Sequence, residues 1–182
     1  MPLLKDHYTS EDYWNLPEGE RAELIDGKFY NMAPPSRIHQ KLVFTISRII
    51  GNHIADHHGS CEVYPAPFAV NLDADDRDWV EPDISVICDP NKLTDRGCSG
   101  APDLIFEIVS PSSRKLDYGI KNGIYSQSGV REYWIVDPAK EKVVVYYYDR
   151  DSDPCLYSFD SDIPVGIYPG LSIKINDLLK NH

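Results

Sequence analysis

The sequence has no apolar run approaching the ~20 residues that span a bilayer. That argues against a helical membrane anchor. Residues 1–20 are polar and acidic and do not resemble a signal peptide. A soluble, cytoplasmic protein is expected. Basic residues are scarce: 18 Lys and Arg face 29 Asp and Glu, a formal net charge of −11. This balance counts against avid, nonspecific nucleic-acid binding, which needs phosphate-neutralising cations. It leaves room for an enzyme that meets a phosphodiester through a metal and a local basic edge. The four cysteines, Cys61, Cys88, Cys98 and Cys155, form no Cys-x-x-Cys pair, so zinc is not indicated. Without a secretion signal a disulfide framework is not expected either, and all four are read as free, partly buried thiols. Ser110-Pro-Ser-Ser lacks the Gly-x-Ser-x-Gly elbow of a serine hydrolase and reads as a turn that starts a helix. Repeats, low-complexity tracts and linkers are absent, so residues 1–182 read as one domain.

The acids present fall into two kinds. Asp73, Asp75, Asp76 and Asp78 form one loop cluster, and Asp149, Asp151, Asp153, Asp160 and Asp162 form another. Both read as solvated loops, because the glycine and closing glutamate of an EF-hand are missing. The others sit in patterned segments. Thr9 followed by Asp12 predicts a short helix over 9–15. Asp26-Gly27 between apolar runs predicts a hairpin. Pro34-Pro35-Ser36 precedes a long helix over 37–57, with Ile38, Leu42, Ile46 and Ile49 at helical spacing and Val43, Ile50 and Ile54 widening the stripe. Gly59 is expected to end it. Strands follow at 62–64, 68–72, 83–88 and 104–110. A second helix is predicted over 114–128, closed by Gly129; Gly119 and Gly123 within it suggest close packing. Strands at 132–136 and 142–148 and a tail of short strands ending in a helical turn complete an α+β (α/β) order: a mixed sheet flanked by helices, with an N-terminal hairpin.

Three charged groups stand out against this frame. In Asp103–Val109, side chains alternate, so Asp103, Ile105, Glu107 and Val109 share one face. Glu107 then lies within an apolar strand, where a carboxylate is costly unless it is paired or bound to a metal. Asp83 opens the run Ile84-Ser-Val-Ile-Cys, behind a proline that belongs at a strand start or edge. Lys121 lies four residues after Asp117 on the second helix. Alone, that spacing means only a surface ion pair. Two acids on adjacent strands with a lysine nearby suit a divalent cation and a phosphodiester. Asp103 lies about 13 Å from Glu107 along the strand and reads as a strand-start residue. Around this expected site the only bases are Arg114, Lys115, Lys121 and Arg131, and no basic stripe is evident. Of His53, His57 and His58, only the first two have a metal-pair spacing; an exposed helix end is the simpler reading. Tyr133, Trp134 and Tyr146–Tyr148 read as sheet core or a dimer interface, ahead of base stacking.

Pro82-Asp83 followed by Glu107-Ile108-Val109 resembles the PD-(D/E)XK nuclease signature, with valine in place of its lysine. The wider set is more specific. It comprises Glu23-Leu-Ile-Asp26-Gly27, His39, Glu81-Pro82-Asp83, Ala101-Pro102-Asp103-Leu104, Glu107-Ile-Val-Ser-Pro-Ser112, Asp117, Lys121, Tyr125, Gly129-Val130 and Glu132-Tyr133-Trp134. Together, over about residues 20–148, these resemble the Uma2 family of restriction-endonuclease-like proteins. The resemblance implies that Asp83, Glu107 and the Ile108 carbonyl hold Mg²⁺ (or Mn²⁺). It implies that Lys121 replaces the lysine missing at Val109, that Glu23 binds the metal or positions water, and that Asp117 supports Lys121 from behind. His39 would contact phosphate or move a proton; a helix-terminal histidine bonded to a loop carbonyl is the plainer alternative.

The expected function is metal-dependent endonucleolytic hydrolysis of DNA. The alternatives are a nuclease fold that binds without cutting and a phosphoesterase acting on another nucleotide substrate. A homodimer is expected, with the aromatic-rich strand 142–148 on an exposed sheet edge that needs covering.

Overall fold

The computed structural model describes residues 6–180. In chain order its elements are α1 (Ser10–Trp14), β1 (Ala22–Ile25), β2 (Lys28–Asn31), α2 (Arg37–Asp56), β3 (Glu62–Pro65), β4 (Val70–Asn71), β5 (Trp79–Val80), β6 (Ile84–Ile87), β7 (Leu93–Thr94), β8 (Gly97–Ser99) and β9 (Leu104–Ile108). A π-helical stretch, Leu116–Lys121, then runs directly into α3 (Asn122–Ser128). The chain closes with β10 (Glu132–Asp137), β11 (Lys142–Tyr147), β12 (Cys155–Ser158), β13 (Ile163–Pro164), β14 (Ser172–Ile173) and α4 (Ile175–Leu179).

Local chemistry sets the element ends. Thr9 and Asp12 form a reciprocal capping box on α1. The Ser36 hydroxyl accepts from the His39 amide at 3.2 Å and starts α2. At the other end of α2, Gly59 N–H donates to Ile54 O (2.8 Å) and His58 N–H to Ala55 O (3.1 Å), a Schellman closure. The left-handed position there is taken by His58 (φ 52°), one residue before the glycine expected to end the helix. Gly129, at φ 95°, ends α3 as predicted.

The central sheet has the order β12-β11-β10-β9-β6-β3. Only the β9–β10 pairing is parallel; its other pairings are antiparallel. Alternation along β9 splits the core in two. Leu104, Phe106 and Ile108 face the α2 side, among Leu42, Ile46 and Ile50. Ile105 and Val109 face the opposite side, with Tyr125, Val130 and Tyr133. On that side lies a second sheet, β2-β1-β5-β4-β8-β7, which also holds the predicted hairpin. The sequence reading expected one mixed sheet flanked by helices, without this second sheet. The second sheet escaped it because β4, β5 and β7 are two residues long, too short to show a period.

Four other expectations are corrected. Cys61 and Cys88 form a disulfide. They sit one step beyond the Glu62↔Ile87 pair of β3 and β6, so the register itself sets them face to face. Cys98 and Cys155 are free as expected. Strand 142–147 is not an edge, because β12 covers it; this removes the stated ground for self-association. A Cβ at Gly119 or Gly123 would meet nothing within 4 Å, so neither glycine serves close packing. Ile38 is exposed and does not join the stripe of α2.

A candidate metal centre where the two sheets meet

The site is built by connectivity. Strand β5 of the second sheet leads through Glu81-Pro82-Asp83 into β6 of the central sheet. The β6–β9 register pairs Ile84 with Phe106. Its next step sets Asp83 across from Glu107, and the Asp83 amide approaches Glu107 Oε2 at 3.4 Å. The Ile108 amide donates to Asp83 Oδ2 at 2.7 Å. On β1, Glu23 Oε1 accepts from the Glu81 amide at 2.8 Å, which ties the second sheet to the same point. Glu81 is itself braced by Arg21 (2.5 Å) and by the Tyr13 hydroxyl (3.2 Å).

Lys121 is the hub. Its Nζ lies 2.8 Å from Glu107 Oε1, 2.9 Å from Glu23 Oε1 and 3.8 Å from Asp117 Oδ1. All four residues are buried. The π-helical stretch carries Asp117 and Lys121 at its two ends and turns both inward; such stretches recur at functional sites. The reading of Asp117 and Lys121 as a plain surface pair is thereby excluded. Tyr125, one turn on, donates its hydroxyl to Glu107 Oε1 at 2.9 Å. Lys121 and Tyr125 thus hold the same oxygen of Glu107 and leave Oε2 on the Asp83 side. Sequence reasoning matched Tyr125 but gave it no role; its signal was the four-residue step from Lys121.

His39 reaches the site from the start of α2, with Nε2 3.1 Å from Asp83 Oδ2. It bonds a site carboxylate, not a loop carbonyl. Asp103 stays apart: it accepts from the Cys88 amide at 2.8 Å and pairs with Arg131 at 3.5 Å, as a strand-start residue should. Arg114 is committed to Asp137, and Arg131 also to Asp149. Glu132, from the Glu-Tyr-Trp motif, lies elsewhere. It accepts from Trp134 Nε1 (2.7 Å) and from the amides of Gly166 and Ile167 (2.9 Å each), and so anchors the tail.

The electrostatics follow from burial. Burial lifts the Glu107 carboxyl well above the usual range; Lys121 opposes this, and Asp83, Asp117 and Glu23 add to it. Burial likewise pushes Asp117 up to about 6, against the pull of Lys121. Burial works against the Lys121 ammonium, but Glu107, Glu23 and Asp117 more than offset it and keep the amine charged. For His39 burial lowers the pKa, and the hydrogen bond and charge of Asp83 raise it above the ordinary value. Four carboxylates therefore surround one ammonium and one imidazole. An acid raised by burial is destabilising once ionised, so the Asp117 penalty grows as pH rises from about 4 through about 6. Asp117→Asn is expected to match wild type near pH 4 and to exceed it by about 3 kcal/mol above pH 7. Urea melts at the two pH values check this; an equal effect at both would contradict it.

Among the described residues, no three His, Cys, Asp or Glu side chains form a ready-made metal cluster. The donor set is smaller and harder: the carboxylates of Asp83 and Glu107. Asp83 Oδ1 accepts no hydrogen bond among the described residues. Two carboxylates, with water and substrate oxygens completing the shell, suit Mg²⁺. An excess of negative charge at one point suits it equally.

Residues 10–175 match the family Uma2, described as "Putative restriction endonuclease". Two proteins of Synechocystis sp. (strain ATCC 27184 / PCC 6803 / Kazusa), slr1290 and sll1609, are similar, each described only as an uncharacterized protein. The first is 25% identical over 84% of this chain and 80% of its own length. The second is 29% identical over 71% and 74%. A crystal structure described as "a putative nuclease belonging to DUF820" from Anabaena variabilis ATCC 29413 superposes with a TM-score of 0.77. It covers 93% of this chain and 96% of that one at 21% identity, a likeness of fold. With a match over nearly its whole length, the chain belongs to the Uma2 family.

Proposed function

We propose that this protein is a metal-dependent endonuclease that hydrolyses DNA phosphodiester bonds using Mg²⁺ (or Mn²⁺). The observation that carries the reading is the buried excess of carboxylates at Glu107, Glu23 and Asp117 around the single Lys121 ammonium, with the half-buried Asp83 beside Glu107. A fold without a cation to hold has no use for so costly an arrangement. The metal would be held by Asp83, Glu107 and the carbonyl of Ile108. It would supply a more acidic water and charge stabilisation at the phosphoryl oxygens.

The remaining work belongs to the chain. Lys121 has three N–H donors. Two are spent on Glu107 and Glu23, and the third, with Asp117 standing off at 3.8 Å, would serve the attacking water or a phosphate oxygen. Glu23 orients that water. Asp117 fixes the lysine from behind. His39, held against Asp83, keeps its proton to higher pH than an ordinary histidine and passes it to the leaving oxygen. Tyr125 sets the rotation of Glu107.

The closure of Lys121 by acids on three sides favours a second reading, a module that binds without cutting. Nicking of supercoiled plasmid with Mg²⁺ or Mn²⁺ separates the two. Cleavage by wild type that disappears in Asp83→Ala is expected. Equal cleavage by both would refute the assignment, and mononucleotide esters assayed in parallel would reveal a phosphoesterase.

A further inference from the structure

We infer that Arg114 and Lys140, gathered by Tyr118 and Asp137, form a subsite for a neighbouring phosphate of the bound DNA strand, beside the candidate centre. This rests on the endonuclease reading and deepens it. The position follows from the sheet. Strands β9 and β10 pair in parallel, and the π-helical stretch with α3 connects them. Ligands commonly collect outside the carboxyl ends of such strands. The register sets Ile135 beside Glu107, and further along Val109 N–H donates to Val136 O at 2.8 Å. Asp137 therefore ends β10 on the face that carries Glu107. One strand spacing and two residues separate their backbones, about 8 Å.

Asp137 is buried and organises the cluster. Arg114 Nη1 and Nη2 donate to its two oxygens at 2.5 and 3.0 Å. The Tyr118 hydroxyl donates to it at 3.1 Å and the Lys140 amide at 3.3 Å. Both cations then lie against one ring. Arg114 Cζ stands 6.0 Å and Lys140 Nζ 5.8 Å from the centroid of Tyr118. The residue before Tyr118 is Asp117, whose carboxylate faces Lys121. One helical stretch thus serves both the centre and the cluster.

Phosphate is the chemistry that fits. Arg114 spends two of its N–H donors on Asp137; a guanidinium has five, in a fork that suits phosphate. Lys140 is exposed and makes no ion pair among the described residues. A brace between helix and sheet needs only the Arg114–Asp137 fork, not an exposed ammonium over the same ring. Arg114 matches the charge of Asp137, and Glu141 and Lys142, exposed next in the chain, offset one another. Lys140 therefore leaves the cluster net positive in a chain of net charge −11. Phosphates on one strand of a duplex advance ~3.4 Å per nucleotide along its axis, so the cluster lies about two nucleotides from the centre. The sequence reading named Arg114 among the nearby bases but not Lys140, which the turn from Asp137 brings there.

The test is fluorescence anisotropy with a labelled ~30-bp duplex in EDTA, where binding is read without cleavage. Lys140→Ala keeps the amide that bonds Asp137, and Arg114→Lys keeps a cation for it. The control is Arg48→Ala, which removes an exposed cation that also stands over a ring, that of Phe44, on the outer face of α2. Circular dichroism confirms that each variant is folded. Lys140→Ala is expected to lose about tenfold in affinity at ~0.1 M salt, with the log–log salt slope flatter by about 1. Lys140→Arg should restore both. Arg114→Lys, without the planar fork, should also lose about tenfold. The control should change by less than about threefold. A loss in Arg48→Ala equal to that in Lys140→Ala, an unchanged slope in Lys140→Ala, wild-type affinity in Arg114→Lys, or no binding by wild type would each overturn the proposal. Binding that depends on Arg114 and Lys140 in a protein that never cleaves with Mg²⁺ or Mn²⁺ would leave the phosphate subsite standing and overturn the endonuclease reading.

Discussion

Lys121→Met is expected to cost about 3–5 kcal/mol in stability, the usual effect of leaving buried charges without their partner. Glu23, Glu107 and Asp117 would then face one another with no ammonium between them. For a chain of this size the midpoint of melting should fall by about 10 °C. The loss should shrink on acidification, because protonated acids no longer need the ammonium. Asp117, already held near 6, takes up a proton early in that descent, and Glu107 is raised further still. Thermal melts of both proteins at pH 5 and pH 8 check this. A loss of equal size at both values would mean that methionine acts through packing alone. Cleavage should vanish with the lysine at either pH.

Glu107→Gln is expected to separate function from stability. The amide oxygen can still accept from Tyr125, and Lys121 keeps Glu23 at 2.9 Å. A neutral amide is cheaper to bury than a carboxylate lifted by burial. The variant should therefore melt within about 1 kcal/mol of wild type, or above it. Removing an outer-shell partner of a metal typically costs about 10–100-fold, so removing a ligand should lower cleavage by more than about 100-fold. A variant that unfolds would show the glutamate to be chiefly structural. A variant that still cuts would remove it from the reaction. The opposite stability outcomes for Lys121 and Glu107, with the same loss of activity, form the signature of this site.

Much of the site was legible because each acid breaks a local rule. Glu107 interrupts an apolar strand, and Asp83 follows a proline at a strand start. Alternation and register then suffice to place them together. Lys121 was legible only through the family pattern. Its spacing from Asp117 fits an exposed helix equally well, and the π-helical widening that turns both inward leaves no mark in the residues. The second sheet was hidden by strands of two residues, which have no readable period. The disulfide was missed because pairing of Cys61 with Cys88 depends on the register of β3 and β6, whereas the sequence reading weighed only spacing and secretion signals. The aromatic strand was misplaced at an edge because the short tail strand expected near Leu156–Phe159 shows its pairing with 142–147 only in the folded register. Among the described residues no helix is long and apolar enough to cross a membrane.

The central claim is that Asp83 and Glu107 form a cation site. It is tested most directly by calorimetric titration of Mn²⁺ into wild type and Glu107→Gln, in two buffers of different ionisation enthalpy. Wild type is expected to bind one ion and to release protons, because acids raised by burial must ionise as the cation enters. The variant should show no binding. Equal binding by both proteins, or none by wild type, would contradict the account.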